Sequence, residues 1–184
     1  MSNNTTNAPP RNGNSGKNDR VSEAAFQFLL REIMFYEGPL VNERNESVTD
    51  NATITVEKTQ RIENIGFDIG YRLAEKLTMD QKMLTFTELD VIKFICKNFW
   101  EEVFRKKIDK LQTNNKGVFF LFDNSFRWLE KYASNDEATR EAASNLLHLP
   151  CGIVRGALAN LGMTVVVNAD FINLPSVTFH IKRA

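Results

Sequence analysis

Apolar positions crowd the chain between Glu23 and Tyr36. Phe26, Leu29, Leu30 and Ile33 fall at the i, i+3, i+4, i+7 spacing of one helix face. Ala25, Phe28, Met34 and Phe35 lie off that stripe and are apolar as well. Ser22 is placed to cap this helix and Gly38-Pro39 to stop it. A helix greasy on two sides is buried on two sides, either in a central core or partly against another chain. Residues 40–53 are polar and read as loop. A second helix is predicted from about Val56 to Leu77, with Ile62, Ile65, Gly66, Ile69, Leu73 and Leu77 on its stripe. Phe67 and Tyr71 make a second face. Gly66 and Gly70 strip one side of side chains, so that a neighbouring helix can come close. Thr87 and Asp90 form a variant capping box. The third helix follows to about Lys107, with Leu89, Ile92, Cys96, Phe99 and Val103 facing one way and Val91, Ile95 and Trp100 widening the apolar zone.

The period then shortens. Residues 111–114 and 118–122 read as two strands around Asn114-Asn115-Lys116-Gly117, a hairpin signal. Residues 126–132 predict a short helix, and 133–145 are polar but helix-compatible. A helix is expected to restart near Pro150, which suits a first turn, and to end at Gly162. Residues 163–167 and 177–181 are the last strands. Val177, Phe179 and Ile181 alternate with Thr178, His180 and Lys182, which buries one face. Helices and strand pairs without regular alternation predict an α+β fold with an antiparallel sheet.

Composition changes this picture at the N-terminus. Residues 1–20 are rich in Asn, Gly, Ser and Pro and nearly free of apolar side chains. Such a segment cannot offset its ordering entropy, so a disordered tail is expected before a domain spanning residues 21–184. Lys plus Arg and Asp plus Glu are equal at 23 each. A general nucleic-acid binder carries a basic excess, so no nucleic-acid partner is expected. Neither an apolar leader nor a membrane-length apolar run is visible, which predicts a cytoplasmic chain. The triplets Asn45-Glu46-Ser47 and Asn51-Ala52-Thr53 are then loop composition and not glycosylation sites.

Candidate chemistry is sparse. Cys96, His148, Cys151 and His180 sit on separate elements and do not suggest zinc. His148 and Cys151 are close in sequence, but a Cys-His nucleophile also needs an orienting group and an oxyanion site. A hydrolase is the weakest reading. Gly152 and Gly156 lack the ending of a phosphate loop and instead repeat the close-packing spacing. Arg155 between them is read as an internal salt-bridge partner. No cofactor, metal or catalytic residue is predicted. Arg105, Lys106, Lys107 and Lys110 form one dense basic cluster, either a solvated helix end or a surface facing anionic lipid.

Two stretches carry a resemblance. One runs from Leu89 to Trp100 (LDVIKFICKNFW), through Val103-Phe104 and 108–114 (IDKLQTN), to Asp123-Asn124-Ser125-Phe126. The other is 151–158 (CGIVRGAL) with Leu161-Gly162. Together they resemble the small subunits of the transport protein particle (TRAPP), in particular the subunit-6 type, in order from about Val21 to Lys182. The resemblance implies a twisted four-stranded antiparallel sheet with helices packed on one side. It implies a dimer in which the first two helices of each partner bundle together. Phe26, Leu29, Leu30, Ile33, Ile65, Ile69 and Leu73 then become candidates for core and interface duty. The implied partner is the acylated TRAPP subunit, within an assembly with other TRAPP subunits that acts indirectly on a Rab GTPase. The implied setting is vesicle tethering and ER-to-Golgi traffic, peripheral at cis-Golgi membranes, with membrane contact only through the complex. Counting back from Phe86, the acylated paralogue's cysteine corresponds to Met83, which has no thiol to acylate. The alternative implied by related folds is a domain that binds a small hydrophobic ligand.

Overall fold

A computed structural model describes residues 22–35, 51–79, 87–114, 116–132 and 136–184. The expected disordered tail, the Gly38-Pro39 stop and Met83 lie outside the described residues. The chain divides into two compact units, Met1–Tyr36 and Glu37–Ala184.

The first unit holds α1 (Glu23–Phe35). Ser22 opens it as expected: the Ala25 N–H donates to Ser22 Oγ at 3.2 Å and the Phe26 N–H to Ser22 O at 3.1 Å. The first satisfies a donor that has no backbone partner in the helix, and the second is the first regular i→i−4 bond, accepted by the cap residue.

In the second unit, α2 (Asn51–Thr78) starts five residues earlier than the predicted Val56. Asn51-Ala52-Thr53 therefore lies in a first helical turn and not in a loop. The capping box at α3 (Glu88–Phe94) is complete, with the Thr87 N–H donating to Asp90 Oδ2 and the Asp90 N–H to Thr87 Oγ1. Thr87 holds the exposed Asp90 carboxyl below its usual range.

A π-helical segment, Ile95–Phe99, joins α3 to α4 (Trp100–Phe104). Its widened turn shifts the buried face around the axis. Trp100 is buried as its place in the widened apolar zone predicts, whereas Phe104 is buried, Val103 half-buried and Leu89 exposed, contrary to the simple stripe. The helix ends at Phe104, short of Lys107, because Arg105 takes a left-handed conformation (φ 63°).

The strands are β1 (Lys110–Thr113), β2 (Val118–Asp123), β3 (Val165–Asp170) and β4 (Val177–Arg183). They form one antiparallel sheet in the order β1-β2-β4-β3. In the β1–β2 turn, Asn114 Oδ1 accepts from the N–H groups of Lys116 and Val118, and Gly117 supplies a φ of 78°. The predicted short helix after β2 is a single 3-10 turn, Arg127–Leu129.

The expected restart at Pro150 does not occur. One helix, α5, runs from Glu137 to Asn160 straight through Pro150, capped by Asp136. An interior proline costs about 3 kcal/mol or more. Burial of twelve α5 residues, Leu146 to Leu158 prominent among them, offsets that cost. Gly162 ends α5 at φ 84°, with the Met163 N–H reaching back to Leu158 O and the Gly162 N–H to Ala159 O.

The inner sheet face presents Phe119, Leu121, Phe179 and Ile181, all buried. An edge-to-face aromatic cluster fills the layer above it. Trp100 lies 4.4 Å from Phe104 and 4.9 Å from Phe179, and Phe126 lies 5.0 Å from Phe104 and 5.5 Å from Phe179. On the other face Phe120, Phe122, Thr178 and His180 are half-buried.

Candidate interaction surface

Helix α2 has two faces with different tasks. Ile62, Gly66, Gly70 and Ala74 are buried. Gly66 and Gly70 lie against the backbone of Leu149, Gly152 and Ile153, while Gly152 and Gly156 of α5 lie against the backbone of Glu63 and Phe67. The four glycines thus interlock two helices at backbone-to-backbone range, as their spacing predicted. A side-chain clasp borders this seam. Glu63 Oε1 is 3.1 Å from His148 Nδ1, Glu63 Oε2 is 3.6 Å from Arg155, and the Arg155 guanidinium sits 5.5 Å from the Phe67 ring centre. Arg155 is therefore an internal ion-pair partner.

A second face of α2 carries a partly exposed apolar row. Ile65 is 36% exposed and Ile69 43% exposed, and Leu73 is half-buried. These three predicted interface residues fall at i, i+4, i+8 on one side. The other four lie on α1 in the first unit: Leu29 is 57% exposed, Leu30 is buried, and Phe26 and Ile33 are half-buried. Phe28, which the simple stripe leaves out, is exposed.

The predicted basic cluster is split. Lys106 turns inward, where its ammonium bonds Asp109 Oδ2 at 2.8 Å and Asp123 Oδ1 at 2.7 Å. Asp123 is fully buried. Its Oδ2 accepts from Trp100 Nε1 at 2.9 Å and its Oδ1 from the Ser125 N–H at 3.1 Å. Asp109 also accepts from the Asn124 N–H at 2.7 Å. Burial alone would lower the Lys106 ammonium, but bonds from Asp109 and Asp123 outweigh it and raise it. Burial alone would raise the Asp109 carboxyl, and Lys106 and Asn124 outweigh that and lower it. Arg105 stands 3.8 Å from Glu102, Lys107 3.5 Å from Glu101, and Lys110 lies over the Phe122 ring. Sequence reasoning missed Asp123 as a buried anchor. The signal was its phase: it continues the inward set Phe119, Leu121.

Neither cysteine is poised for chemistry. Burial pushes the Cys96 thiol up to about 12. Burial and the Glu63 carboxylate raise Cys151, which Arg155 only partly offsets. His148 is engaged with Glu63. His180 faces Asp170 at 3.4 Å across the sheet. Among the described residues no group of three or more His, Cys, Asp and Glu is arranged to hold a metal. Thiol titration with an aromatic disulfide at neutral pH should leave both cysteines unreacted in the native chain, with both reacting only after denaturation. Rapid native labelling of Cys151 would contradict the buried placement.

Comparison with known proteins fits this architecture. The family described as "Transport protein particle (TRAPP) component" matches residues 26–184. Trafficking protein particle complex subunit 6b of Danio rerio is 40% identical over 161 residues, covering 88% of this chain and 96% of that protein. Subunit 6B of Homo sapiens is 37% identical over the same shares, and human subunit 6A is 42% identical over 65% of this chain and 74% of that one. A crystal structure of trafficking protein particle complex subunit 3 from Naegleria fowleri, covalently bound to palmitic acid, superposes with a TM-score of 0.59 at 15% identity. It covers 89% of this chain and 97% of its own, a likeness of fold. The chain belongs to the transport protein particle family and is of its subunit 6 type.

Proposed function

We propose that this chain is a non-catalytic interaction subunit that pairs with the acylated TRAPP subunit through the apolar faces of α1 and α2. The observation that carries the reading is the Ile65–Ile69–Leu73 stripe, exposed at Ile65 and Ile69. It lies on a helix whose glycine face is already locked onto α5. Exposed apolar residues in a row mark a partner surface more often than an idle one. The pair joins the other TRAPP subunits, and the assembly promotes nucleotide exchange on a Rab GTPase in ER-to-Golgi and Golgi traffic. The chain contributes surface and no reacting group. It is peripheral at cis-Golgi membranes and reaches lipid only within the complex. Arg105, Lys107 and Lys110, whose side chains are open to solvent, orient that complex toward anionic lipid. No helix among the described residues is long and apolar enough to cross a membrane.

The test is a chain carrying Ile65→Asp and Ile69→Asp. Both sites are exposed, so the fold should persist by circular dichroism. Burying two unpartnered carboxylates in an interface costs several kcal/mol, so affinity for the acylated subunit should fall at least a hundredfold. Unchanged affinity would place the partner surface elsewhere.

A further inference from the structure

The partly exposed stripe on α2 is bordered on one flank by a row of cations. At ~100° per residue, Ile69, Lys58, Lys76, Ile65, Arg72 and Arg61 follow one another within an arc of about 80°. Every ionisable group in that arc is basic. The acids of the helix lie outside it. Glu63 is on the α5 side, Asp68 lies about 20° beyond the Arg61 end of the arc, and Glu57 and Glu75 lie about 40° beyond it. Arg72 and Lys76 are exposed, and Lys58 and Arg61 are half-buried. Among the described residues none of the four makes an ion pair within 4.0 Å. Lys106 and Arg155, by contrast, are each paired to a carboxylate.

We infer that Lys58, Arg61, Arg72 and Lys76 are specificity residues of the pairing surface, selecting a partner helix whose apolar stripe is flanked by Asp or Glu and rejecting a second copy of this chain. This inference rests on the pairing proposed above and adds the chemistry of the occupant. The row is basic along its whole length. Two copies packed antiparallel through the stripe set this flank against itself, cation against cation. Like charges in juxtaposition disfavour the wrong partner, and opposite charges speed encounter with the right one. The apolar stripe supplies adhesion without discrimination. The cations supply the discrimination.

The experiment uses the full chain and the acylated TRAPP subunit, with association followed by biolayer interferometry. The variants are Arg61→Glu with Arg72→Glu, and Arg61→Gln with Arg72→Gln, each checked for wild-type circular dichroism and melting. Affinity is measured at about 0.1 M and about 1 M salt, where the screening length falls from about 10 Å to about 3 Å. The charge-reversed chain should bind at least ~10-fold more weakly at the lower salt, chiefly through slower association. The glutamine chain should fall between. The three should converge at the higher salt. Equal or tighter binding by the reversed chain at low salt overturns the inference, as does a loss that salt leaves unchanged. In either case the pairing itself stands. If the wild-type chain does not bind this partner at all, it is the pairing that fails.

Discussion

Gly70→Ala is expected to be among the most damaging single-methyl additions in this chain. A Cβ at Gly70 would overlap the carbonyl of Ile153, and its neighbours there are backbone atoms, not the ends of flexible side chains. The strain can be relieved only by pushing α2 away from α5. Overpacking of a tight core costs about 1–3 kcal/mol, and a rigid backbone neighbour places this case at about 3 kcal/mol or above. For a domain of this size that corresponds to a melting temperature lower by roughly 10 °C. Gly66, Gly152 and Gly156 face the same constraint from the two sides of the seam. Urea unfolding followed by circular dichroism checks the value. A Gly70→Ala chain within about 0.5 kcal/mol of wild type would mean that the helices are not in backbone contact. Because the proposed partner surface adjoins this seam on α2, a loosened seam should also weaken pairing indirectly.

The second large effect is expected at Asp123. Replacing it with Ala strands the buried Trp100 N–H and removes one of the two carboxylates that hold Lys106. An unsatisfied buried donor costs about 1–3 kcal/mol, and breaking a buried ion pair about 3–5 kcal/mol. Lys106 keeps Asp109 and some water, so the low end applies, about 3 kcal/mol in all. The loss should be shared with Lys106→Ala. A double-mutant cycle should show a coupling of about 1 kcal/mol or more, and strict additivity would deny that the two form one unit. The pH dependence has a fixed sign. The raised Lys106 contributes stability that is full below its unfolded value and fades as pH rises through the folded one. The lowered Asp109 contributes stability present above its unfolded value and lost as pH falls through the folded one. The knot is thus intact near neutrality and weakens toward both extremes.

Much of this organisation was legible in residue order. The Thr87–Asp90 box, the Asn114–Gly117 turn and the alternation of β4 each depend on neighbours a few positions apart, and each is found as read. The glycine spacings in α2 and α5 announced a close seam, although only the fold shows that they meet each other. Departures arise where distant contacts decide. Pro150 reads locally as a first turn, yet Asp136 caps the helix fourteen residues earlier and burial carries it through. The π segment at Ile95–Phe99 breaks the 3.6 period, so Phe104 replaces Val103 on the buried side. Lys106 belongs to a basic run on paper, but the inward carboxylate of Asp123, seventeen residues on, claims it. For the same reason the Ile65–Ile69–Leu73 stripe is predicted by period, while its exposure is not.

Light scattering on a sizing column, with this chain alone and co-expressed with the acylated TRAPP subunit, tests the central claim most directly. The account predicts one peak at the mass of a one-to-one heterodimer, and a chain that remains monomeric by itself. A monomer eluting apart from the co-expressed partner would contradict it.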